Sequence, residues 1–215
     1  MARLISVQIG QPVTYPGQGP DGRAIRTAIG KKPVAGCVWL GTLGLEGDAK
    51  ANLRHHGGPF RAINVYPGEH YPLWRELPGL NGMTGGAFGE NFTIQGLLED
   101  EACVGDTFRV GEAVVQITQP RSPCGTLNIV WQRDDLMARA EQSGRIGWYM
   151  SVVHEGHVQA GDLMERLEHP YPRWSIARIW NLHLNPMDQD GLHEMLDCPC
   201  LSENWKSRVR SKLQV

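Results

Sequence analysis

No apolar run in the 215-residue chain approaches the roughly 18 residues that a membrane span requires. The first ten positions already include polar residues, so the apolar core of a signal peptide is not expected either. Excess charge is also lacking. The 21 Lys and Arg stand against 23 Asp and Glu, a net charge of −2 that provides no global basic field to recruit nucleic acid. Cysteine is sparse, odd in number and scattered over Cys37, Cys103, Cys124, Cys198 and Cys200, unlike the dense, even set of a secreted disulfide scaffold. A reducing cytoplasm is expected, where a notable thiol is a catalytic group or metal ligand more readily than a crosslink. Repeats, low-complexity tracts, iron–sulfur spacing and a nucleotide fingerprint are all missing.

Turn formers are plentiful. The 26 Gly and 14 Pro make 40 of 215 residues, about 19% against roughly 12% on average, which favours many short strands over a helix bundle. Ile5, Val7 and Ile9 alternate with polar residues as a half-buried strand does, and residues 62–65, 107–110 and 113–118 read as further strands. Gly111-Glu112 joins the last two as a tight hairpin, and residues 148–153 and 158–167 repeat that pattern around Gly156. Helices are expected over 69–76 and 134–143. The whole reads as mainly β, a closed or nearly closed barrel with a few peripheral helices, since closure removes exposed sheet edges.

After Glu168 the texture changes. His169-Pro170-Tyr171-Pro172 predicts a stiff extended linker. Three helices then follow, capped by Ser175, Asp188 and Ser202, the first ending before Asn185-Pro186, the second near Leu196 and the third covering 203–213. Ile176, Ile179, Trp180 and His183 share one helical stripe, as do Leu201, Trp205 and Val209. The division is a barrel domain over 1–168 and a small three-helix domain over 169–215.

The most specific string is Gln119-Pro120-Arg121-Ser122-Pro123-Cys124-Gly125, where two prolines stiffen the turn after a strand. Arg121 beside Cys124 favours thiolate, the form that attacks or binds metal; the plainer reading is a small buried cysteine in a turn. A second cluster is Gly44-Leu45-Glu46-Gly47-Asp48, then His55-His56-Gly57-Gly58-Pro59 and Arg61. Its glycines can aim backbone N–H groups at an anion beside cationic side chains, although such glycine pairs are commonly only turns. Adjacent histidines on an extended chain point to opposite faces, which speaks against a paired metal site. A third is Phe88-Gly89-Glu90-Asn91-Phe92 with Val104-Gly105-Asp106. There Glu90 and Asn91 serve a polar ligand, or Asn91 and Asp106 simply satisfy turn backbone. Cys198-Pro199-Cys200 with His193 offers only three zinc-type ligands and reads as a helix-to-helix turn. Trp148, placed near the barrel mouth, is a stacking candidate for a purine.

Taken in order, GLEGD, HHGGPFRA, YPGEHY, FGENF, VGDTFRVGEA and QPRSPC resemble the MOSC domain, closest to its YiiM-like branch with a three-helix C-terminal extension. The resemblance runs from about Leu4 to Leu213. Lys31 in TAIGKKPV falls at the branch's lysine position, whereas Phe92 stands for the usual leucine and Gly125-Thr126 for a bulkier residue and lysine. It implies a β-barrel that binds molybdenum cofactor, with Cys124 as molybdenum ligand. Lys31, His56, Gly57, Gly58, Arg61, Gln119 and Arg121 would face phosphate and pterin, and Asn91 and Ser122 the pterin edge. No bound flavin, haem or iron–sulfur cluster is expected.

The implied activity is reduction of small N-hydroxylated compounds such as hydroxylaminopurines, with electrons from a separate flavoprotein or ferredoxin-type reductase. The protein would be cytoplasmic, a monomer or homodimer, with no nucleic-acid or membrane partner. Two alternatives remain open: a sulfur carrier with a Cys124 persulfide, and a non-enzymatic cofactor-binding module. Lys206, Arg208, Arg210 and Lys212 on the last helix are either a docking face or a solvated surface.

Overall fold

A computed structural model describes residues 1–15 and 23–213 of the chain, apart from the side chain of His55. Its strands are β1 (Ala2–Ile9), β2 (Val13–Tyr15), β3 (Ile25–Thr27), β4 (Lys32–Pro33), β5 (Val38–Gly41), β6 (Gly44–Leu45), β7 (Ile63–Pro67), β8 (Phe92–Gln95), β9 (Thr107–Val110), β10 (Ala113–Pro120), β11 (Trp148–His154), β12 (Gly156–Val158) and β13 (Leu163–Glu168). Seven of them close a barrel in the order β13-β9-β10-β11-β7-β8-β1, with β1 returning to β13 through Ala2↔Met164 and Arg3↔Leu163. The pairs are antiparallel except β7 and β8, whose parallel pairing requires a long crossover. That crossover carries a short helix at Tyr71–Arg75.

Local sequence explains the β9–β10 hairpin directly. Gly111 turns at φ 56°, and Val110 pairs with Ala113 across the two-residue loop. The first strand departs from simple alternation. A register shift between Leu4 and Ser6 puts Ala2, Leu4 and Val7 inside and leaves Ile5 exposed, because a bulge moves every later side chain to the opposite phase. The expected hairpin about Gly156 does not form. Residues 156–158 pair instead with β5 in a small second sheet, and β13 crosses to β9 and β1 to close the barrel. A Cβ at Gly156 would lie 2.7 Å from the Glu112 carbonyl carbon, so only glycine lets the chain pass this close to the β9–β10 turn.

The helices are α1 (Leu53–His56), α2 (Tyr71–Arg75), α3 (Thr126–Trp131), α4 (Leu136–Ser143), α5 (Ile176–Leu184), α6 (Gln189–Leu196) and α7 (Glu203–Leu213). The helix expected over 69–76 is split into a 3₁₀ turn at Gly68–His70 followed by α2. The one expected over 134–143 begins at Leu136, and α3 precedes it. No described helix is long and apolar enough to cross a membrane.

The last three helices form as their caps dictate. Ser175 Oγ accepts from Arg178 N at 3.2 Å, Asp188 Oδ1 from Gly191 N at 2.9 Å, and Ser202 Oγ from Trp205 N at 3.4 Å. These helices share one core with the barrel: Ile176, Ile179, Trp180, Trp205 and Val209 pack in the same cluster as Val115, Ile117 and Trp148. Burying Trp180 and Trp205 alone removes on the order of 400 Å² from water, an upper-bound hydrophobic gain of about 10 kcal/mol. The 169–172 segment is likewise docked, since His169 Nδ1 meets Asp106 Oδ1 at 2.7 Å and Cys103 Sγ points to Pro172 O at 3.4 Å. A second core outside the barrel, with Tyr66 stacked on Phe88 at 4.3 Å, joins the crossover to α3 and α4. Trp148 is fully buried in the main core, which removes it from any ligand face because β11 turns its indole inward.

Candidate functional site

Three barrel strands place polar side chains where their apolar neighbours point the other way. The register pairs Gln119 of β10 with Tyr149 of β11, and Tyr149 with Asn64 of β7. Asn91, just before β8, continues the row: its backbone N donates to Asn64 O at 2.8 Å, and its Oδ1 accepts from Asn64 N at 3.2 Å. Cys124 follows β10 by four residues, so the turn brings its partly exposed thiol over this row.

A cavity of about 370 Å³ opens there. It is lined by Lys31, His56, Arg61, Asn91, Arg121 and Cys124, which the sequence places in four separate motifs, and also by Arg26, Lys50, Asn52, Asn64, Phe88, Thr126 and Tyr149. Five Lys and Arg residues in its lining make it an anion-attracting site with one soft sulfur donor.

The lining side chains are held from behind. Asp48 Oδ1 pairs with Lys31 Nζ and accepts from Gly10 N at 2.8 Å, while its Oδ2 accepts from Asn91 Nδ2 at 2.9 Å. Burial pulls the Lys31 ammonium below its ordinary range, with the Asp48 charge opposing that shift. Lys50 Nζ donates to Leu43 O at 3.0 Å and Arg61 O at 2.8 Å. Burial first, and the nearby Lys31 charge second, bring its pKa down to about 8 against the pull of Asp48. Arg121 is buried, donates through Nη2 to Phe88 O at 2.7 Å and lies 5.8 Å over the Phe88 ring. Its Nη1 and the Asn64 Oδ1 are buried without a hydrogen-bond partner. Tyr149 has its phenol pushed up by burial, with Arg121 and Arg61 pulling back and Cys124 pushing further, so these four groups converge.

Four of the residues expected to face the cofactor lie outside the cavity lining. The Gly57 N–H donates to Leu53 O at 2.9 Å and closes α1, where a Cβ would sit 2.4 Å from that oxygen. Gly58 stands at φ 92° and starts the 3₁₀ turn Pro59–Arg61. Gln119 is buried beside its cross-strand partner Tyr149, and Ser122 Oγ accepts from Arg208 Nη1 at 2.8 Å. Residues 53–56 are helical, so the two histidines do not sit on an extended chain. Glu90, read as a possible ligand group, is fully buried; it accepts from Tyr71 Oη, Gly86 N, Phe88 N and Thr93 Oγ1 and so shapes the loop carrying Asn91. Lys50, Asn64 and Tyr149 were not singled out by motif. Their signal was a polar or amphipathic residue at one phase of an otherwise apolar strand, or a lone lysine after GLEGD.

Cys103, Asp106 and His169 form a separate group whose ligand-type atoms all lie within 4.8 Å of one another. Asp106 is already engaged by His169, by Cys103 N at 3.2 Å and by Arg166 Nε at 3.5 Å, and burial pushes the Cys103 thiol up to about 11. That chemistry is a clasp between barrel and linker, not a thiolate ligand set. Cys198 and Cys200 lie in the turn between α6 and α7, one buried and one half-buried.

Residues 52–165 match the family model described as MOSC domain, and residues 174–215 the one described as YiiM-like, 3-alpha helix domain. The chain is 37% identical over 220 residues to Protein YiiM of Escherichia coli (strain K12), covering 98% of this chain and 94% of that protein. It is 34% identical over 165 residues to a protein named Reductase from Gibberella moniliformis, covering 75% of this chain but 29% of that longer protein. The crystal structure of YiiM from Geobacillus stearothermophilus superposes with a TM-score of 0.83 at 32% identity, over 99% of this chain and 100% of that one.

Proposed function

The chain belongs to the MOSC family and carries its YiiM-like three-helix domain, and from that membership we propose that it is a molybdenum-cofactor oxidoreductase that reduces small N-hydroxylated compounds to amines. MOSC domains are associated with molybdenum cofactor, and the relative named Reductase supports a redox role. The observation that carries the reading is the cavity itself: a thiol and five Lys and Arg residues line it together, and two buried polar atoms of its lining residues lack partners.

Those residues fit the group. Cys124 offers the soft thiolate that molybdenum takes. Arg121 Nη1 is a donor in want of an acceptor, as a phosphate or pterin carbonyl provides, and Asn64 Oδ1 an acceptor in want of a donor, as a pterin amine provides. Arg61, Lys50 and His56 would oppose the phosphate charge. When bound, the cofactor supplies two-electron oxygen-atom chemistry. The overall reaction is R–NHOH plus two electrons and two protons giving R–NH₂ and water, with the electrons drawn from a separate flavoprotein or ferredoxin-type reductase. The chain's own task is to fix the thiol, neutralise the anionic tail and orient the substrate within the cavity.

The test is molybdenum content by mass spectrometry, for wild type and Cys124→Ser made in a host with abundant cofactor. Near-stoichiometric metal in wild type and little in the variant is expected, followed by turnover of a hydroxylaminopurine with a chemical reductant. Metal-free wild type, or metal-loaded protein without turnover, would reject the reading.

A further inference from the structure

The turn that carries Cys124 is gripped from both sides. On its inner side, Arg121 N donates to Gly147 O at 3.1 Å and Arg121 Nη2 to Phe88 O at 2.7 Å. On its outer side stands α7. Trp205 Nε1 donates to Pro120 O at 3.2 Å, and Arg208 Nη1 donates to Ser122 Oγ at 2.8 Å. Trp205 and Arg208 are three residues apart, so one face of the helix presents both donors. The Arg208 guanidinium also lies 5.5 Å over the Trp205 ring, which fixes its direction.

Pro120 and Ser122 are four and two residues before Cys124, and Pro123 between Ser122 and the cysteine has its φ locked. Pro123 thereby removes one of the rotations that could absorb a displacement of Ser122 before it reaches the thiol. Arg208 is an exposed residue, and partial desolvation of its guanidinium and the charge of the cavity-lining Arg61 lower its pKa, so it stands near the cavity wall. This arginine is the member of the basic run on α7 that turns toward the barrel. Lys206 and Arg210 reach Glu203, and Lys212 caps His183 O.

We propose that the three-helix region is part of the functional site, with Arg208 acting through Ser122 as a positioning residue that sets where the Cys124 thiol stands. The proposal deepens the reading of Cys124 as the working thiol and rests on it for its consequence in catalysis, but the contact itself is a property of the chain alone.

The experiment is peptide-resolved alkylation of Cys124 by iodoacetamide across pH, on the full chain without added cofactor. Wild type, Arg208→Ala, Arg208→Lys, Ser122→Ala and the Arg208→Ala/Ser122→Ala double variant are compared. The high-pH plateau reports how freely the thiolate is reached, and the midpoint reports its electrostatic setting. Both alanine variants should raise the plateau roughly three- to tenfold, the scale of one charged hydrogen bond lost. The double variant should be no worse than either single one, and Arg208→Lys should recover much of the wild-type rate. Buried Cys103 and Cys198 serve as internal controls and should stay unlabelled. An unchanged Cys124 plateau in Arg208→Ala overturns the proposal, as does additivity in the double variant. Simultaneous labelling of Cys103 and Cys198 also overturns it, because α7 would then be a general prop of the fold. If Cys124 responds as expected while Cys124→Ser protein keeps its molybdenum, the positioning role stands and the cofactor reading falls.

Discussion

Asn91 Nδ2 donates to Asp48 Oδ2 at 2.9 Å, and that single contact joins two motifs 43 residues apart into one cavity wall. Asp48 is also the counter-charge of Lys31, and the two side chains are 3% and 7% exposed. Removing one partner of a buried pair leaves the other charged and unsatisfied, at a cost of about 3–5 kcal/mol. Asp48→Asn should therefore cost roughly 3 kcal/mol in urea unfolding and should also lower molybdenum retention. A loss under about 1 kcal/mol would mean that Lys31 finds water or another partner without strain.

Arg121 separates folding from binding. Its Nη2 bond to Phe88 O and its contact over the Phe88 ring hold the fold, while its buried Nη1 has no partner. Arg121→Met keeps an unbranched stem and removes that unpaired donor but orphans the buried Phe88 carbonyl, so the cofactor-free protein should lose about 1–3 kcal/mol. Cofactor retention should fall about tenfold or more, because a charged hydrogen bond to the ligand is worth roughly 1.5–3 kcal/mol. A variant equally weakened in both measurements would make Arg121 a purely structural group.

Features set by neighbours in sequence are the legible ones. The Gly111-Glu112 hairpin and the caps at Ser175, Asp188 and Ser202 follow from a few adjacent residues, and each forms where those residues place it. Closure of β1 on β13 and the bulge after Leu4 depend on partners about 160 and 90 residues away, which no local pattern carries. The same divide runs through the site. Cys124, Arg121, His56, Arg61, Asn91 and Lys31 sit in motifs conspicuous by themselves, whereas Asn64 and Tyr149 join the cavity only because the β7–β11 register sets them side by side. Ser122 illustrates the converse: its motif is distinctive, yet its hydroxyl is taken by a helix 86 residues later.

Trp148 tests where the ligand face lies. Its indole is fully buried in the main core and its Nε1 has no partner. Trp148→Phe loses ring volume but also an unpaired N–H, two effects of opposite sign. A loss of about 1–2 kcal/mol on thermal unfolding is expected, with molybdenum content and any turnover unchanged. Altered KM for a purine substrate at unchanged stability would return this tryptophan to the cavity mouth.

His183 gives the helical region a distinct acid sensitivity. Its ring is half-buried against Trp180 and Trp205, with centroids 5.2 and 5.1 Å away, and no carboxylate is among the groups that shift it. Burial first, then the charges of Lys212 and Arg208, lower its pKa from 6.5 to about 4. A base with a folded pKa below its unfolded one binds fewer protons when folded, so acid favours the unfolded chain. The favourable contribution of neutral His183 is fully present above pH 6.5 and is lost as pH falls from there toward about 4. His183→Gln keeps a polar group of similar reach without that proton. Its melting temperature should lie below wild type at pH 7.5, where the ring packing is lost, and the gap should narrow or reverse by pH 4.5. Other groups titrate over the same range in both proteins and cancel in the difference. A gap that is constant with pH would show that the histidine charges within the folded protein at no cost, by moving out from between the two indoles.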